Sequence, residues 1–229
     1  MAKGRTGSES KGEKVGRAQR ATVGRPSKAS VTKRRMPNVA NTPNRVRIIG
    51  GQWKRTPLPV ADVSGLRPTP DRVRETLFNW IEHLVPTLSN VRGLDLFAGT
   101  GALGFELASR GARHVTLIEN NRQLAAQLLQ TKDRLHADQI DIVPQDALAA
   151  AARWPQASFD IIFIDPPFDS VLLAPALTAA VRLIAPEGLI YAESGEALGA
   201  SLLEQHGLHI VRTARAGRVH SYLLRPYSA

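Results

Sequence analysis

Two carboxylates lie next to residues that constrain the backbone. Asp95 comes just before the glycine-rich segment Ala98-Gly99-Thr100-Gly101, and Asp165 follows the apolar run Ile161–Ile164 and precedes Pro166-Pro167-Phe168. A carboxylate beside a glycine loop favours a cationic ligand. A carboxylate on a backbone made rigid by two prolines can accept hydrogen bonds from the N–H groups of an amine and so orient that amine. The spacing therefore indicates a small-molecule site next to a site that handles an amine.

The glycine segment has two interpretations. Gly99, Gly101 and Gly104 form G-x-G-x-x-G, and Glu119 follows at the end of the next predicted strand, which is the dinucleotide fingerprint of dehydrogenases. Asp95 argues against a pyrophosphate, because a nearby carboxylate repels it. S-adenosylmethionine (AdoMet) has an ammonium and a sulfonium and no phosphate, so the pattern favours AdoMet over NAD. Glu119 can accept hydrogen bonds from the ribose of either ligand.

Asp146 follows the third predicted strand, in Pro144-Gln145-Asp146-Ala147. It is placed to accept a hydrogen bond from an adenine amino group. It is equally placed to cap a helix that starts at Ala147. The sequence leaves both interpretations open.

The tetrapeptide Asp165-Pro166-Pro167-Phe168 fits the chemistry of an exocyclic amine on a nucleobase. Such an amine is a poor nucleophile because its lone pair is delocalised into the ring. The Asp165 carboxylate and the Pro166 carbonyl can accept its N–H bonds and turn the lone pair towards a methyl donor, while Phe168 can stack on an extruded base. In isolation the tetrapeptide would be an ordinary turn, so its place after a strand and after the glycine loop carries the hypothesis.

From Val91 onward, short apolar runs alternate with segments of helical periodicity. This alternation predicts βαβ units and a parallel sheet covered by helices on both faces. Leu208–Ala214 and Val219–Leu224 are expected to form a closing antiparallel hairpin. The predicted strands are Leu94–Phe97, Val115–Ile118, Ile140–Val143, Ile161–Ile164 and Leu189–Tyr191, and the predicted helices are Ala102–Ser109, Arg122–Leu135 and Leu172–Leu183.

The segment before this body predicts two further elements. Arg45–Ile49 and Lys54–Val60 are expected to form a hairpin that turns at Gly50-Gly51. Asp71–Val85 is expected to form an amphipathic helix, with Thr69 or a neighbour as its cap and Pro70 in its first turn. The predicted organisation is thus a basic tail over 1–44, a substrate-facing hairpin and helix over 45–90, and the α/β body over 91–229.

The charge is concentrated at one end of the chain. Of 30 Lys and Arg residues, 12 lie within residues 1–45, beside two acidic residues, and the remaining 184 residues are neutral overall. Residues 1–44 have few large apolar side chains, so the sequence predicts disorder there, either as a solvated extension or as an arm that binds nucleic acid. The chain has no cysteine, which excludes disulfides and thiol nucleophiles, and no apolar run of membrane-spanning length.

Four motifs in order resemble one family. The segments starting at Asp95 and Asp165 are similar to those of class I AdoMet-dependent amino-methyltransferases. Arg47-Ile-Ile-Gly-Gly-Gln-Trp53 and the segment Arg67–Asn79 look like the N-terminal signature of the bacterial 16S ribosomal RNA guanine-N2 methyltransferase D family. The resemblance covers about residues 45–229 and leaves out the tail.

The resemblance implies a Rossmann-like class I methyltransferase fold, with a seven-stranded, mostly parallel sheet and an antiparallel final strand. It implies AdoMet as co-substrate, no metal, and methyl transfer to N2 of one guanine of 16S rRNA in the small ribosomal subunit, by a cytoplasmic monomer without membrane attachment. The catalytic residues would be Asp165, Pro166, Pro167 and Phe168. The cofactor positions would be Asp95, Phe97, Ala98, Gly99, Gly101, Glu119, Asn120 and Asp146.

Basic residues on either side of an acidic middle predict the surface that faces RNA. The side facing rRNA is expected to be lined by Arg47, Lys54, Arg55, Arg67, Arg72 and Arg74, with Arg215 and Arg218 opposite. The candidate substrate-binding residues among them are Arg47, Arg67, Arg72 and Arg74. The alternative for each arginine is a solvated face. Trp53 is expected to pack against the domain rather than to stack on a base.

Three other functions fit less well. An adenine-N6 methyltransferase uses the same type of tetrapeptide, but the chain has no long target-recognition insert. A non-catalytic RNA-binding assembly factor would not need every motif position to be intact. A protein glutamine methyltransferase would usually have Asn in place of Asp165.

Overall fold

The computed structural model describes residues 46–61, 69–167 and 171–227. The predicted tail over 1–44 lies outside these residues, as do Arg67 and Phe168. The strands are β1 (Val46–Arg47), β2 (Pro57–Leu58), β3 (Arg92–Asp95), β4 (His114–Ile118), β5 (Ile140–Val143), β6 (Phe159–Ile164), β7 (Ile184–Ser194), β8 (Leu208–Ala216) and β9 (Val219–Pro226). The helices are α1 (Asp71–Leu84), α2 (Ala102–Ser109), α3 (Arg122–Leu135), α4 (Ala147–Ala151), α5 (Leu173–Leu183) and α6 (Ala200–Gln205).

The main sheet has seven strands in the order β5-β4-β3-β6-β7-β9-β8. The pairs from β5 through β7 are parallel, and β9 runs antiparallel to both β7 and β8. The strand order reverses beside β3, between the β3–β4 and β3–β6 pairs, and this is the place where open α/β sheets bind ligands. The predicted fold, a mostly parallel sheet with an antiparallel final strand, is confirmed.

The two faces of the sheet are covered by different helices. One apolar layer joins the sheet to α1, α2 and α3, and the other joins it to α4, α5 and α6. Alternate residues of a strand divide between the layers: Ile161 and Phe163 of β6 face the first, and Ile162 and Ile164 face the second. The described part of residues 46–90 contributes Ile48 and its neighbours to the first layer, so it shares a core with the sheet.

The N-terminal hairpin has shorter strands than the sequence predicts. Val46 pairs with Leu58, and the amide of Arg55 donates to the carbonyl of Ile48, so the connection covers residues 49–54 and contains Gly50-Gly51. Gly51 has a further role. Gly51 has φ +73°, and a Cβ on it would lie 1.8 Å from the carbonyl oxygen of Ser109. Its small size therefore lets the hairpin lie directly against α2.

The start of α1 also differs from the prediction. Pro70 takes the capping position, and none of the described side chains caps the helix. Thr69 instead turns its hydroxyl towards Asp165 and Glu193. The predicted first strand, Leu94–Phe97, is observed two residues earlier, because Leu96 and Phe97 already belong to the loop that leads into α2. The bounds of α2, α3 and β5 agree with the prediction.

Candidate active site

The glycine loop lies between the carboxyl end of β3 and the start of α2. Gly99 and Gly101 have φ of 54° and 77°, a region that side chains with a Cβ rarely occupy. A Cβ on Gly101 would also lie 2.6 Å from the Phe105 ring. Gly101 occupies the capping position of α2 and has no side chain with which to cap it. This backbone arrangement fits a ligand that approaches the loop closely.

Asp95 lies beneath the loop at the end of β3. The residue is 1% exposed, and its Oδ2 accepts a hydrogen bond of 3.2 Å from the amide of Gly104 in α2. Its buried Oδ1 has no hydrogen-bond partner among the described residues. Burial raises the pKa of Asp95 to about 7, the backbone amides of Gly104 and Phe97 oppose the rise, and the charge of Glu119 adds to it. A buried acceptor without a partner fits a cationic group such as the ammonium of AdoMet.

Glu119 ties the end of β4 to the glycine loop. Its Oε2 accepts from the amide of Gly99 at 2.8 Å, and its Oε1 accepts from the amide of Asn121 at 2.7 Å. Asn121 in turn caps α3 through bonds to the amides of Gln123 and Leu124. The structure thus gives Glu119 a role in holding the loop, and its predicted contact with a ribose stays a prediction. Asn120 is exposed beside it.

Asp146 caps α4, as one of its two interpretations predicts. Its Oδ1 accepts from the amides of Leu148 and Ala149 at 3.0 and 2.9 Å. The residue is exposed, and its predicted contact with an adenine amino group stays a prediction.

Asp165 follows β6 at the same edge of the sheet as the glycine loop. The residue as a whole is partly exposed, while its carboxyl group lies beneath the surface. Its Oδ2 accepts a hydrogen bond of 3.3 Å from the Thr69 hydroxyl. Burial raises the pKa of Asp165 well above its ordinary value. The charges of Glu193 and Asp95 raise it further, and the Thr69 hydroxyl opposes the rise. Pro166 is buried and Pro167 is exposed.

Sequence reasoning missed Glu193, the neighbour of Asp165 at the end of β7. Glu193 is 4% exposed, and its Oε1 accepts 2.6 Å from the Tyr191 hydroxyl and 3.2 Å from the Thr69 hydroxyl. Burial raises its pKa, and both hydroxyls act against the rise. The signal that could have found it was the order Tyr191-Ala192-Glu193 at a strand end, with a carboxylate two residues after a core position.

Strand parity explains why the three carboxylates meet. Asp95 pairs in register with Phe163 of β6, and Phe163 pairs with Tyr191 of β7. Asp165 and Glu193 each come two residues further along, so they share the face on which Phe163 and Tyr191 lie. That is the face covered by α1 and α2, at the carboxyl edge of the sheet.

The predicted RNA-facing arginines divide into different environments. Arg47 is exposed and forms an ion pair of 3.0 Å with Asp71. Arg72 is exposed, and Arg67 lies outside the described residues. Arg74 is 0% exposed: its Nη2 binds Asp71 at 2.6 Å, and its Nη1 lies 3.6 Å from Glu106.

The prediction that Arg74 binds RNA is therefore wrong for this structure. Arg74 lies three residues before Leu77 and four before Phe78, on the buried face of α1. Burial lowers its pKa, and Asp71 and Glu106 counter the decrease. Its guanidinium holds the interior together and does not reach a surface ligand.

Glu106 is the centre of this buried network. It lies in α2, which begins at the glycine loop, and it is 0% exposed. Its two oxygens accept from the amides of Ile49 and Gly50 at 2.6 and 2.7 Å, and Arg110 adds a bond of 2.7 Å. One carboxylate thus joins the N-terminal hairpin to the helix that follows the loop. Trp53 packs edge-on against Phe105, with ring centroids 6.5 Å apart, which confirms the packing role.

A family model described as Conserved hypothetical protein 95 matches residues 46–225. The chain belongs to this family. Relatives named Ribosomal RNA small subunit methyltransferase D are similar in sequence. The relative from Escherichia coli K12 is 45% identical over 65% of this chain and 74% of its own length. The relative from Haemophilus influenzae is 40% identical over 67% of this chain and 81% of its own length. The resemblance seen in the sequence motifs is confirmed.

Solved structures agree with this assignment. A "Putative methyltransferase" from Escherichia coli superposes with a TM-score of 0.68 at 38% identity, covering 81% of this chain and 100% of its own. A "putative methylase" from Haemophilus influenzae gives 0.64 at 32%, covering 79% and 98%. A precorrin-6y methyltransferase from Geobacter metallireducens, 17% identical with a TM-score of 0.58, shares the fold. The chain has the Rossmann-like methyltransferase fold.

Neither a metal cluster nor a membrane helix occurs in the described part of the chain. Residues 46–61, 69–167 and 171–227 contain no group of three or more His, Cys, Asp or Glu side chains arranged to hold a metal ion. Within the same ranges, no helix is long and apolar enough to cross a membrane.

Proposed function

We propose that the protein transfers a methyl group from AdoMet to the exocyclic N2 of one guanine in 16S rRNA of the small ribosomal subunit. The observation that carries the proposal is the position of Asp165 at the carboxyl edge of the sheet, two residues after Phe163, which pairs in register with Asp95 below the glycine loop. The names of the relatives support ribosomal RNA of the small subunit as the substrate class.

The chain's residues would hold AdoMet at the glycine loop. Asp95 Oδ1 would accept from the ammonium, since it is buried and has no hydrogen-bond partner among the described residues. Glu119 would accept from the ribose hydroxyls with the lone pairs that its two backbone bonds leave free. The bound co-substrate supplies a methyl group activated by a sulfonium.

The guanine would enter next to Asp165. The carboxylate and the Pro166 carbonyl would accept the two N2–H bonds, which orients the amine lone pair towards the methyl group. Phe168 would stack on the base. Orientation and fixed charge would supply most of the acceleration, so no strong general base is required.

The basic surface near this edge would bind the rRNA backbone. The β9 strand starts where β7 ends, with His220 paired to Ser194, so the β8–β9 turn projects from the same edge as Asp165. Arg215 and Arg218 are exposed in that turn region, and Arg47 and Arg72 are exposed at the N-terminal hairpin and α1. Arginines at both places would contact phosphates and set the register of the RNA without reading its sequence.

Identifying the methylated nucleoside is the direct test. Small subunits from cells that lack the enzyme are incubated with the protein and labelled AdoMet, and the rRNA is digested to nucleosides. The proposal expects N2-methylguanosine at one position of 16S rRNA. N6-methyladenosine would instead support the adenine-N6 alternative, and no label would support a non-catalytic assembly factor.

The same preparation tests the state of the substrate and of the protein. Naked 16S rRNA, assembled subunits and late precursors are compared at equal concentration, and we expect the assembled subunit to be methylated fastest. We further propose that the protein acts as a cytoplasmic monomer, which sedimentation of the free protein and fractionation of cells would check.

A further inference from the structure

The residues around Asp165 form a connected set that methyl-donor binding does not require. Thr69 Oγ1 lies 3.3 Å from Asp165 Oδ2 and 3.2 Å from Glu193 Oε1, so one hydroxyl lies between two carboxyl groups. A hydroxyl has one proton and can donate it to only one acceptor at a time. The two carboxylates therefore compete for the hydroxyl proton. The repulsion between their negative charges is relieved when one of them takes up a proton from elsewhere.

The surroundings keep this arrangement in place. The carbonyl of Thr69 accepts 3.2 Å from Nε of the buried Arg74, which fixes the backbone that carries the hydroxyl. The Tyr191 hydroxyl donates to Glu193, and the pKa of Tyr191 is raised by burial and by the Glu193 charge, so it keeps its proton and remains a donor. Asp95 adds a further negative charge from β3.

We propose that Thr69 and Glu193 are positioning residues that, together with Asp165, take up the proton released from the methylated amine. The inference rests on the proposed function. When the amine lone pair forms the new N–C bond, the S–C bond breaks with its electron pair left on sulfur, and the nitrogen carries one proton too many. Asp165 accepts that proton, and the Thr69 hydroxyl passes its own proton to Glu193 while it receives the one from Asp165.

The repulsion between the Asp165 and Glu193 carboxylates also favours the reaction. When Asp165 and Glu193 are both ionised, their two negative charges face the site across the Thr69 hydroxyl. Positive charge that develops on the amine nitrogen is attracted to both of them, so this attraction offsets their mutual repulsion as the reaction proceeds. Glu193 thus acts through Asp165 without touching the base.

The experiment compares five variants in single-turnover methyl transfer to small subunits, as a function of pH, with AdoMet affinity measured by calorimetry. Thr69→Val removes the hydroxyl, Thr69→Ser keeps it, and Glu193→Gln removes the charge. The matched controls are Thr116→Val, equally buried at 5% against 6%, and Glu187→Gln, an exposed carboxylate on the same strand as Glu193.

We expect Thr69→Val and Glu193→Gln to slow transfer by about tenfold or more, with AdoMet affinity unchanged. Thr69→Ser and both controls should stay within about twofold of the wild type, because the hydroxyl and the Asp165–Glu193 pair are intact in them. Rescue by serine would assign the effect to the hydroxyl, since serine is smaller than threonine while valine has the same shape.

The pH dependence gives opposite shifts that a merely structural defect would not produce. Asp165 must be ionised to accept the amine N–H, so the rate rises with pH through its titration. Glu193 raises the pKa of Asp165 and Thr69 lowers it. The acid limb should therefore move to lower pH in Glu193→Gln and to higher pH in Thr69→Val.

Several results would overturn the inference while leaving the proposed function intact. These are unchanged rates and pH profiles in both variants, shifts in the same direction, serine as slow as valine, or a decrease in AdoMet affinity equal to the decrease in rate. Failure of the proposed function is recognised separately, because the wild-type protein would then leave guanine N2 unlabelled.

Discussion

Arg74 and Glu106 face each other across the interface between α1 and α2, with 3.6 Å between Nη1 and Oε2 and no solvent exposure on either side chain. Each has further partners: Asp71 and the Thr69 carbonyl for Arg74, and two hairpin amides for Glu106. Charges in such a place cost much desolvation, which their partners offset only while all are present. The pair therefore joins the hairpin, the first helix and the helix after the glycine loop into one unit.

Removing the Glu106 charge should destabilise the protein strongly. Glu106→Gln leaves Arg74 buried with a weaker partner and deprives a hairpin amide of an ionised acceptor. We expect the free energy of unfolding in urea to fall by about 3 kcal/mol. Glu82→Gln is the matched control, because Glu82 binds the same Arg110 from a side chain that is 49% exposed, and the decrease there should be below about 1 kcal/mol. Equal small decreases would contradict the role assigned to Glu106.

Asp165 should affect chemistry and leave cofactor binding alone. Asp165→Ala removes the carboxylate that would accept the amine N–H, and we expect single-turnover transfer to fall by about a hundredfold or more. AdoMet affinity, measured by calorimetry, should change little, because the glycine loop and Asp95 are untouched. If the affinity collapses instead, Asp165 has a structural or cofactor role.

Asp95 should make AdoMet affinity depend on pH. Its pKa of about 7 means that the free protein holds this carboxyl protonated below neutrality, so a cationic ligand must displace a proton there. Affinity should weaken as pH falls below about 7, by up to about tenfold per pH unit. Asp95→Asn should bind AdoMet weakly at every pH and have little of this dependence. A variant with the wild-type pH dependence would show that another group is responsible.

Asp95 also affects stability. Its pKa is higher in the folded protein than the 3.8 of an ordinary Asp, so the folded state binds the proton more tightly. The contribution of this group to stability is present below pH 3.8 and is lost as pH rises through about 7. Saturating AdoMet should therefore raise the melting temperature more at about pH 8 than at about pH 5.5.

The basic turn between β8 and β9 should bind phosphate. Replacing Arg215 and Arg218 by Ala should weaken binding to small subunits and reduce the slope of log K against log salt by about one for each phosphate that is no longer bound. Arg113→Ala serves as the control, because Arg113 is exposed next to the start of β4, at the opposite edge of the sheet. Equal effects from both edges would mean that the binding is non-specific.

Much of this architecture follows from local patterns. The alternation of apolar runs and helical segments predicts the sheet, and the two carboxylates after strands predict which edge carries the site. Glu193 could not be placed beside Asp165 in the same way. Their proximity depends on the register of β6 against β7, which tertiary packing sets and which no local pattern encodes.

Local patterns misplace Arg74 and Thr69 for related reasons. A charged residue is ordinarily assigned to the surface, and the buried partner of Arg74, Glu106, lies 32 positions away in the sequence. A threonine before a helix ordinarily caps it, yet here the hydroxyl finds an acceptor almost a hundred residues away in Asp165. In both cases a long-range interaction overrides the local preference.

The shared face of Asp95, Asp165 and Glu193 also limits how this chain can change. Inserting or deleting one residue within β6 would turn Asp165 towards the helices on the other side of the sheet, away from Thr69 and Glu193. The loops before β6 can vary in length without moving the carboxylate. Variants with inserted or deleted residues that remain active should therefore have these changes in the loops, and β6 should keep its number of residues.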